Sequence, residues 1–310
     1  MSWRSGRWTA EHALPIGVSK RAAVGDLVRA GDIVAAGATL ASPTRLAGAR
    51  KLGLPPSDLE RQLRVAVGGD VRQKAVLARV GRRFARTLKA PFEGRVLHVT
   101  MDGDVYLAPI VDRWVVRATL DGAVVRSDDG VVEIEGDAWC LQGVAAYGPD
   151  AIGQLMIGID GPNGEVSPSR LDVRLARRII LAGARVSAEV ITRAHACGVA
   201  ALVAGGAPPA GLRVVYGDAI TATSWATRED RPTVLCLGGF GAHPLPADVY
   251  TRFAELGAAR AAIHTATARL FAFASATGAA TASASPGSED EASSDPSEDE
   301  LVDLTSADER

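Results

Sequence analysis

Lysine is scarce in this chain: Lys20, Lys51, Lys74 and Lys89 stand against thirty arginines. None of the four sits in a Met-Lys-Met or Asp-Lys-Ala context, so a swinging-arm carrier is excluded and no covalent biotin or lipoate is expected. Aromatic residues make up only 5%, which leaves Val, Leu, Ile and Ala to fill the interior. The three cysteines (Cys140, Cys197, Cys236) lie far apart with no C-x-x-C pair, and the five histidines show no metal-ligand spacing. Buried free thiols, no metal site and no cofactor are the expectation. No apolar run approaches the roughly 20 residues that span a bilayer. The polar start, MSWRSGRWTAEH, has no apolar secretory core, so a cytoplasmic protein without a membrane span is expected.

The formal net charge of −2 hides an asymmetry. Residues 289–310 carry ten acidic side chains and one basic one, near −9, which leaves the rest of the chain near +7. That positive charge is mostly guanidinium, suited to phosphate and carboxylate partners. It collects in two runs: Arg79, Arg82, Arg83, Arg86 and Lys89, then Arg170, Arg174, Arg177 and Arg178. Only Phe84 interleaves them, too little aromatic surface for a base-stacking platform, so a solvated face is favoured over a nucleic-acid site.

Glycine is what the chain has in quantity, and residues 24–35, VGDLVRAGDIVA, place it to effect. Gly-Asp corners break short β-branched runs: Gly supplies the positive φ of a tight turn, and Asp caps that turn with its side chain. A weaker copy, VGGDVRQKAVLA, occupies residues 67–78, with Lys74 where the first has Gly31. Asp-Gly pairs at Asp102, Asp121 and Asp129 continue the hairpin signal. Residues 11–150 therefore read as β-rich, after a flexible arm at 1–10. Residues 151–274 change period to strand, helix, strand, with Ser187 as an N-cap and continuous apolar runs typical of parallel strands covered on both faces. This is a small α/β layer domain. Residues 275–310 are Ala, Ser, Thr, Gly, Pro and acid, and read as a disordered acidic tail.

The V-G-D-x-V-x-x-G run at 24–35 and the A-P-x-x-G-x-V run at 90–96 resemble the barrel-sandwich hybrid of biotinyl/lipoyl-like domains, in the variant that opens the RnfC electron-transport subunits. The chain as a whole is similar to an uncharacterised bacterial family with such a β region before an α/β domain. The likeness rests on residues 182–189, 198–206 and 237–245, where Leu-Gly replaces that family's Thr-Glu and Leu245 its Met. The resemblance implies a fold, β plus α/β, and no activity.

Two functions are open at this point. One is a non-catalytic binding or scaffold protein that assembles with protein partners, because no acid, base and nucleophile share a motif and no catalytic residue is nominated. The other is a binder of, or enzyme for, a small anionic ligand such as a nucleotide or phosphometabolite. It would use the glycine-rich strand exits at Gly183, Ser187, Gly205, Gly206, Gly238, Gly239 and Gly241, where backbone N–H groups can approach an anion.

Overall fold

The computed structural model describes residues 2–81, 85–217 and 231–273. Strand dominates, as the Val-, Ile- and Gly-rich sequence requires, and most strands join one large mixed sheet. Its centre is four parallel strands in the order Thr233–Phe240, Ala201–Ala207, Arg178–Arg185 and Ala151–Ile157. Antiparallel strands Arg260–His264, Arg269–Phe273, Val131–Gln142 and Gly122–Ser127 extend it on one side. The α/β signals hold locally. Ser187 Oγ accepts the Val190 N–H at 3.2 Å and starts helix Ala188–Ala196. Gly198, at φ +70°, ends that turn of chain. Helix Pro209–Tyr216, disguised in sequence by Pro-Pro-Ala-Gly, was not expected.

Within the expected flexible arm at 1–10, residues 3–10 are strand. Strand Trp3–Ala13 pairs along its length with Val131–Gln142, from Trp3 opposite Leu141 to Ala13 opposite Val131. Its buried positions are Trp3, Ala10 and His12, with Gly6 and Trp8 half-buried, so its two large apolar residues fall on opposite faces. The alternation is therefore too faint to announce a strand. Trp3 packs edge-on against Phe253 of helix Ala247–Leu256, ring centroids 6.1 Å apart. A side chain buried as fully as Phe253 contributes roughly 2–3 kcal/mol through apolar area removed from water.

The expected division between 11–150 and 151–274 coincides with no break in the sheet. Trp139 pairs with Ala272 and Leu141 with Leu270, joining front to back. Ala262, Phe271 and Phe273 from the back share a core with Val34, Leu120 and Ile134 from the front. A second sheet runs Val18–Arg21, Ile33–Leu40, Val105–Arg117, Gly94–Val99, Asp70–Val71, with a two-stranded ribbon, Val76–Val80 and Arg86–Lys89, beside a third core around Leu77, Leu88 and Leu107. The glycine turns form in both copies, but the strands they separate pair elsewhere and not with each other: Leu27–Val28 with Gly122–Ala123 and Ile33–Leu40 with Val18–Arg21 and Val105–Arg117, then Asp70–Val71 with Gly94–Val99 and Val76–Val80 with Arg86–Lys89. Asp26 and Asp32 each accept a backbone N–H three residues upstream, from Ala23 at 2.8 Å and Arg29 at 2.7 Å. In the second copy Lys74 adopts φ +67° where the first has Gly31 at +104°. Among the described residues no helix is long and apolar enough to cross a membrane. The tail at 275–310 lies outside the described residues, as do Arg82, Arg83 and Phe84.

Candidate functional site

The seven residues nominated for anion binding all lie at the carboxyl edge of the parallel strands, and there the chain itself occupies the space. A β-carbon at Gly205 would collide with the His243 carbonyl, one at Gly183 with the Gly164 carbonyl, and one at Gly238 would lie 2.6 Å from the His243 ring. His243 N–H donates to Ala184 O at 3.0 Å and Val186 N–H to Gly206 O at 3.1 Å, closing the neighbouring loops onto the strand ends. Gly206 sits under the Gly239 and Gly241 carbonyls. Ser187 Oγ is engaged in its helix cap. Backbone packing alone requires small residues at Gly183, Gly205 and Gly206, and the His243 ring does so at Gly238.

At the opposite edge of the same strands is a cleft of about 840 Å³, between the end of strand Val105–Arg117 and the starts of Ala151–Ile157, Arg178–Arg185 and Ala201–Ala207. Among the described residues its lining includes Arg117, Arg177, Arg231, His195 and Asp150, and Gly31 of the leading glycine turn contributes to its wall. Arg117 and Arg231 are held by backbone carbonyls, Gly31 O at 2.9 Å and Val215 O at 2.5 Å. Arg177 is exposed, adopts φ +60°, and its guanidinium has no partner among the described residues. The left-handed backbone costs a non-glycine residue about 1 kcal/mol. The rest of its basic run has partners: Arg170 pairs with Asp160 at 2.7 Å and Arg174 with Asp172 at 2.8 Å, while Arg178 keeps its charge and bonds the neutral amide of Gln154.

Asp150 belongs to the cleft and to a buried cluster behind it. The turn that carries it is pinned by Thr233 and Thr265, whose hydroxyls both donate to Pro149 O, the latter at 2.9 Å. Asp150 Oδ1 accepts the Thr265 N–H at 2.8 Å, and Oδ2 lies 3.6 Å from His12 Nδ1. His12 and His264 stack edge to face with centroids 5.0 Å apart, each 2% exposed. The Thr119 N–H donates to His12 Nε2 at 3.3 Å, so a neutral His12 carries its proton on Nδ1, facing the carboxylate. His264 Nε2 lies 3.0 Å from Glu11 O, an acceptor only, and so carries the proton, while Nδ1 accepts from the Thr267 hydroxyl at 2.8 Å. Burial works to raise the Asp150 carboxyl, but the proximity of His12, the charge of His264 and the Thr265 N–H hold it below the usual carboxylate range. Burial pushes His264 the other way, down to about 4, against the pull of Asp150.

Among the described residues this is the one group of three that gathers potential metal ligands, with donor atoms within 4.8 Å of one another. A tetrahedral site with bonds near 2.0–2.1 Å sets donors about 3.3 Å apart. The wider spread, and a proton on the His12 nitrogen that faces Asp150, fit a hydrogen-bonded cluster better than a ligand set. Nucleophilic chemistry fits no better. Thr119 Oγ1 is 3.3 Å from His12 Nε2, but that lone pair already takes the Thr119 amide proton. All three cysteines are buried, and burial raises Cys140 to about 11 and Cys236 to about 12. Sequence reasoning missed His12, Asp150 and His264 because more than a hundred residues separate each from the next and no local motif marks them.

Comparison with known proteins finds no matching family model, no matching curated protein and no matching solved structure.

Proposed function

We propose that this chain is a non-catalytic binding protein that takes a small anionic molecule, phosphorylated or carboxylate-bearing, in the cleft between its front and back strands. The observation that carries this reading is Arg177, an unpaired guanidinium held in a strained backbone conformation, in a cleft that also holds Arg117, Arg231 and His195. A volume of about 840 Å³ falls in the range of pockets that enclose metabolite-sized ligands. Guanidinium groups match carboxylate and phosphate geometry with paired N–H donors. The glycine turns of both copies support a front region of the barrel-sandwich hybrid type, similar to that of RnfC subunits and serving here as one wall of the site. The ligand class is that of the alternative reading of the sequence, placed here at the opposite edge of the sheet. A cytoplasmic location accords with a pool of anionic metabolites.

Thermal-shift screening of the full chain against nucleotides and phosphorylated metabolites tests the proposal, because a ligand bound only by the native state raises its stability. A hit whose affinity falls at least tenfold in Arg177→Ala supports it. A flat screen, or a hit indifferent to that change, refutes it. The second reading, assembly with a protein partner, is favoured by large apolar side chains left exposed on the leading glycine turns and beside them: Ile16 at 96%, Leu27 at 84% and Val24 at 63%. Concentration-dependent association or partner capture lost on Leu27→Ser separates that surface from the cleft.

A further inference from the structure

We infer that Asp150 makes the cleft selective for anions that still carry a proton, favouring phosphate over sulfate. The inference rests on the cleft being an anion site. Among the described residues Asp150 is the one carboxylate lining a cleft that also holds three arginines and a histidine. Its side chain is 12% exposed, so it reaches the cleft without being freely solvated. Oδ1 has one bond, from Thr265 N–H, and Oδ2 has only the long approach of His12 Nδ1 at 3.6 Å, so lone pairs remain for a donor on a ligand.

An ionised carboxylate beside a bound anion repels it, and more so where burial lowers the local dielectric. The repulsion becomes attraction when the anion donates an O–H, since a hydrogen bond to a charged acceptor is among the stronger kinds. Near neutral pH inorganic phosphate always carries at least one O–H, because its second proton leaves near pH 6 to 7 and its third far higher. Sulfate, of the same shape and similar charge, carries none. The Thr265 N–H donated to Oδ1 and the His12 Nδ1–H facing Oδ2 both favour the ionised carboxylate, in line with a pKa held below the usual range. It therefore acts as an acceptor and not as a donor across the neutral range.

The experiment titrates the full chain with inorganic phosphate and with sulfate at pH 7 and matched ionic strength, by calorimetry and thermal shift. Phosphate is expected to bind at least tenfold more tightly than sulfate. In Asp150→Asn, whose amide oxygen can still accept from Thr265 and whose NH₂ can donate to either anion, the ratio is expected to fall below about threefold, chiefly through a gain for sulfate. A second measurement needs no variant. Phenyl phosphate gains a proton between pH 8 and 5.5, whereas phenyl sulfate does not, so the ratio of their affinities should rise as pH falls. His195, Arg117, Arg177 and Arg231 face the cleft, and His12 and His264 face Asp150; phenyl sulfate measured at the same pH values reports their effect on an anion that gains no proton. Equal binding of phosphate and sulfate, with a ratio flat in pH, overturns the role of Asp150 while leaving the anion site standing. Binding of neither anion, with no effect of Arg177→Ala, removes the site itself.

Discussion

His264 offers a pH dependence with a definite sign. Its imidazole is buried beside His12 and Asp150, with a pKa pushed down to about 4 from an ordinary value of 6.5. Between those values the unfolded chain binds a proton that the folded chain does not, so acidification favours unfolding. The stability tied to the neutral ring is fully present above pH 6.5 and declines as pH falls toward 4. At pH 5 the linkage relation puts the loss at about 2 kcal/mol relative to pH 7.5. Asp150, lowered for the opposite reason, loses its contribution only as pH falls below the ordinary carboxylate value, outside this window. Asp70, Asp128, Asp160 and Asp172, each lowered by an arginine neighbour or backbone N–H groups, behave like Asp150 and also lie below it. Urea midpoints at half-unit steps from pH 7.5 to 5 should therefore fall in the wild-type chain. In His264→Gln, which keeps a donor toward Glu11 O but cannot titrate, the curve should be nearly flat, from a lower stability at pH 7.5. A wild-type curve that does not fall over this range, or a variant with the same slope, refutes the assignment of a buried neutral histidine.

Two further outcomes follow from local geometry. Lys74→Gly removes a side chain from a left-handed residue whose N–H bonds Ala90 O at 2.8 Å, and relief of that strain less the extra chain entropy of glycine should stabilise the fold by about 0.5 kcal/mol in urea titration. Cys140, Cys197 and Cys236 are buried, and the raised pKa values of Cys140 and Cys236 leave almost no thiolate at pH 8. Ellman's reagent should therefore report no thiol in the native chain and three after denaturation.

What could be read from the sequence was local. The Asp26 and Asp32 turns close over three residues, the Ser187 cap over three, and the parallel strands are unbroken apolar runs, so each announces itself within a short window. Strand Trp3–Ala13 does not, since its two tryptophans fall on opposite faces and Gly6, Ala10 and His12 add little apolar signal. Nor does the joining of front and back: Trp139 opposite Ala272 is a pairing across more than a hundred residues that no periodicity reports. The glycine exits illustrate the opposite hazard. Gly205 and Gly238 stand where a ligand-binding backbone would want them, yet the His243 loop supplies a sufficient reason for both.

The site is illegible for the same reason that it is specific to this arrangement of strands. Besides the core shared with Ala262 and Phe271, polar contacts tie the leading turn to the large sheet: Asp121 accepts the Ala30 N–H at 2.7 Å and pairs with Arg260, which donates to Ala30 O at 3.1 Å, and Gly31 N–H donates to Ala118 O at 2.9 Å. Those contacts fix Gly31 in the cleft wall, and with it the carbonyl that holds Arg117. Across the cleft, Arg177 is presented by a backbone bond from its own N–H to Gly198 O at 2.8 Å, at the end of helix Ala188–Ala196. Between them Asp150 stands on a turn fastened by Thr233 of a back strand and by Thr265 of the turn that follows Arg260–His264, and it faces a histidine from the first strand of the chain. Each charged group thus owes its position to a different long-range contact. A cleft built in this way exists only when front and back fold together, which makes its charge pattern a property of the tertiary structure and not of any segment.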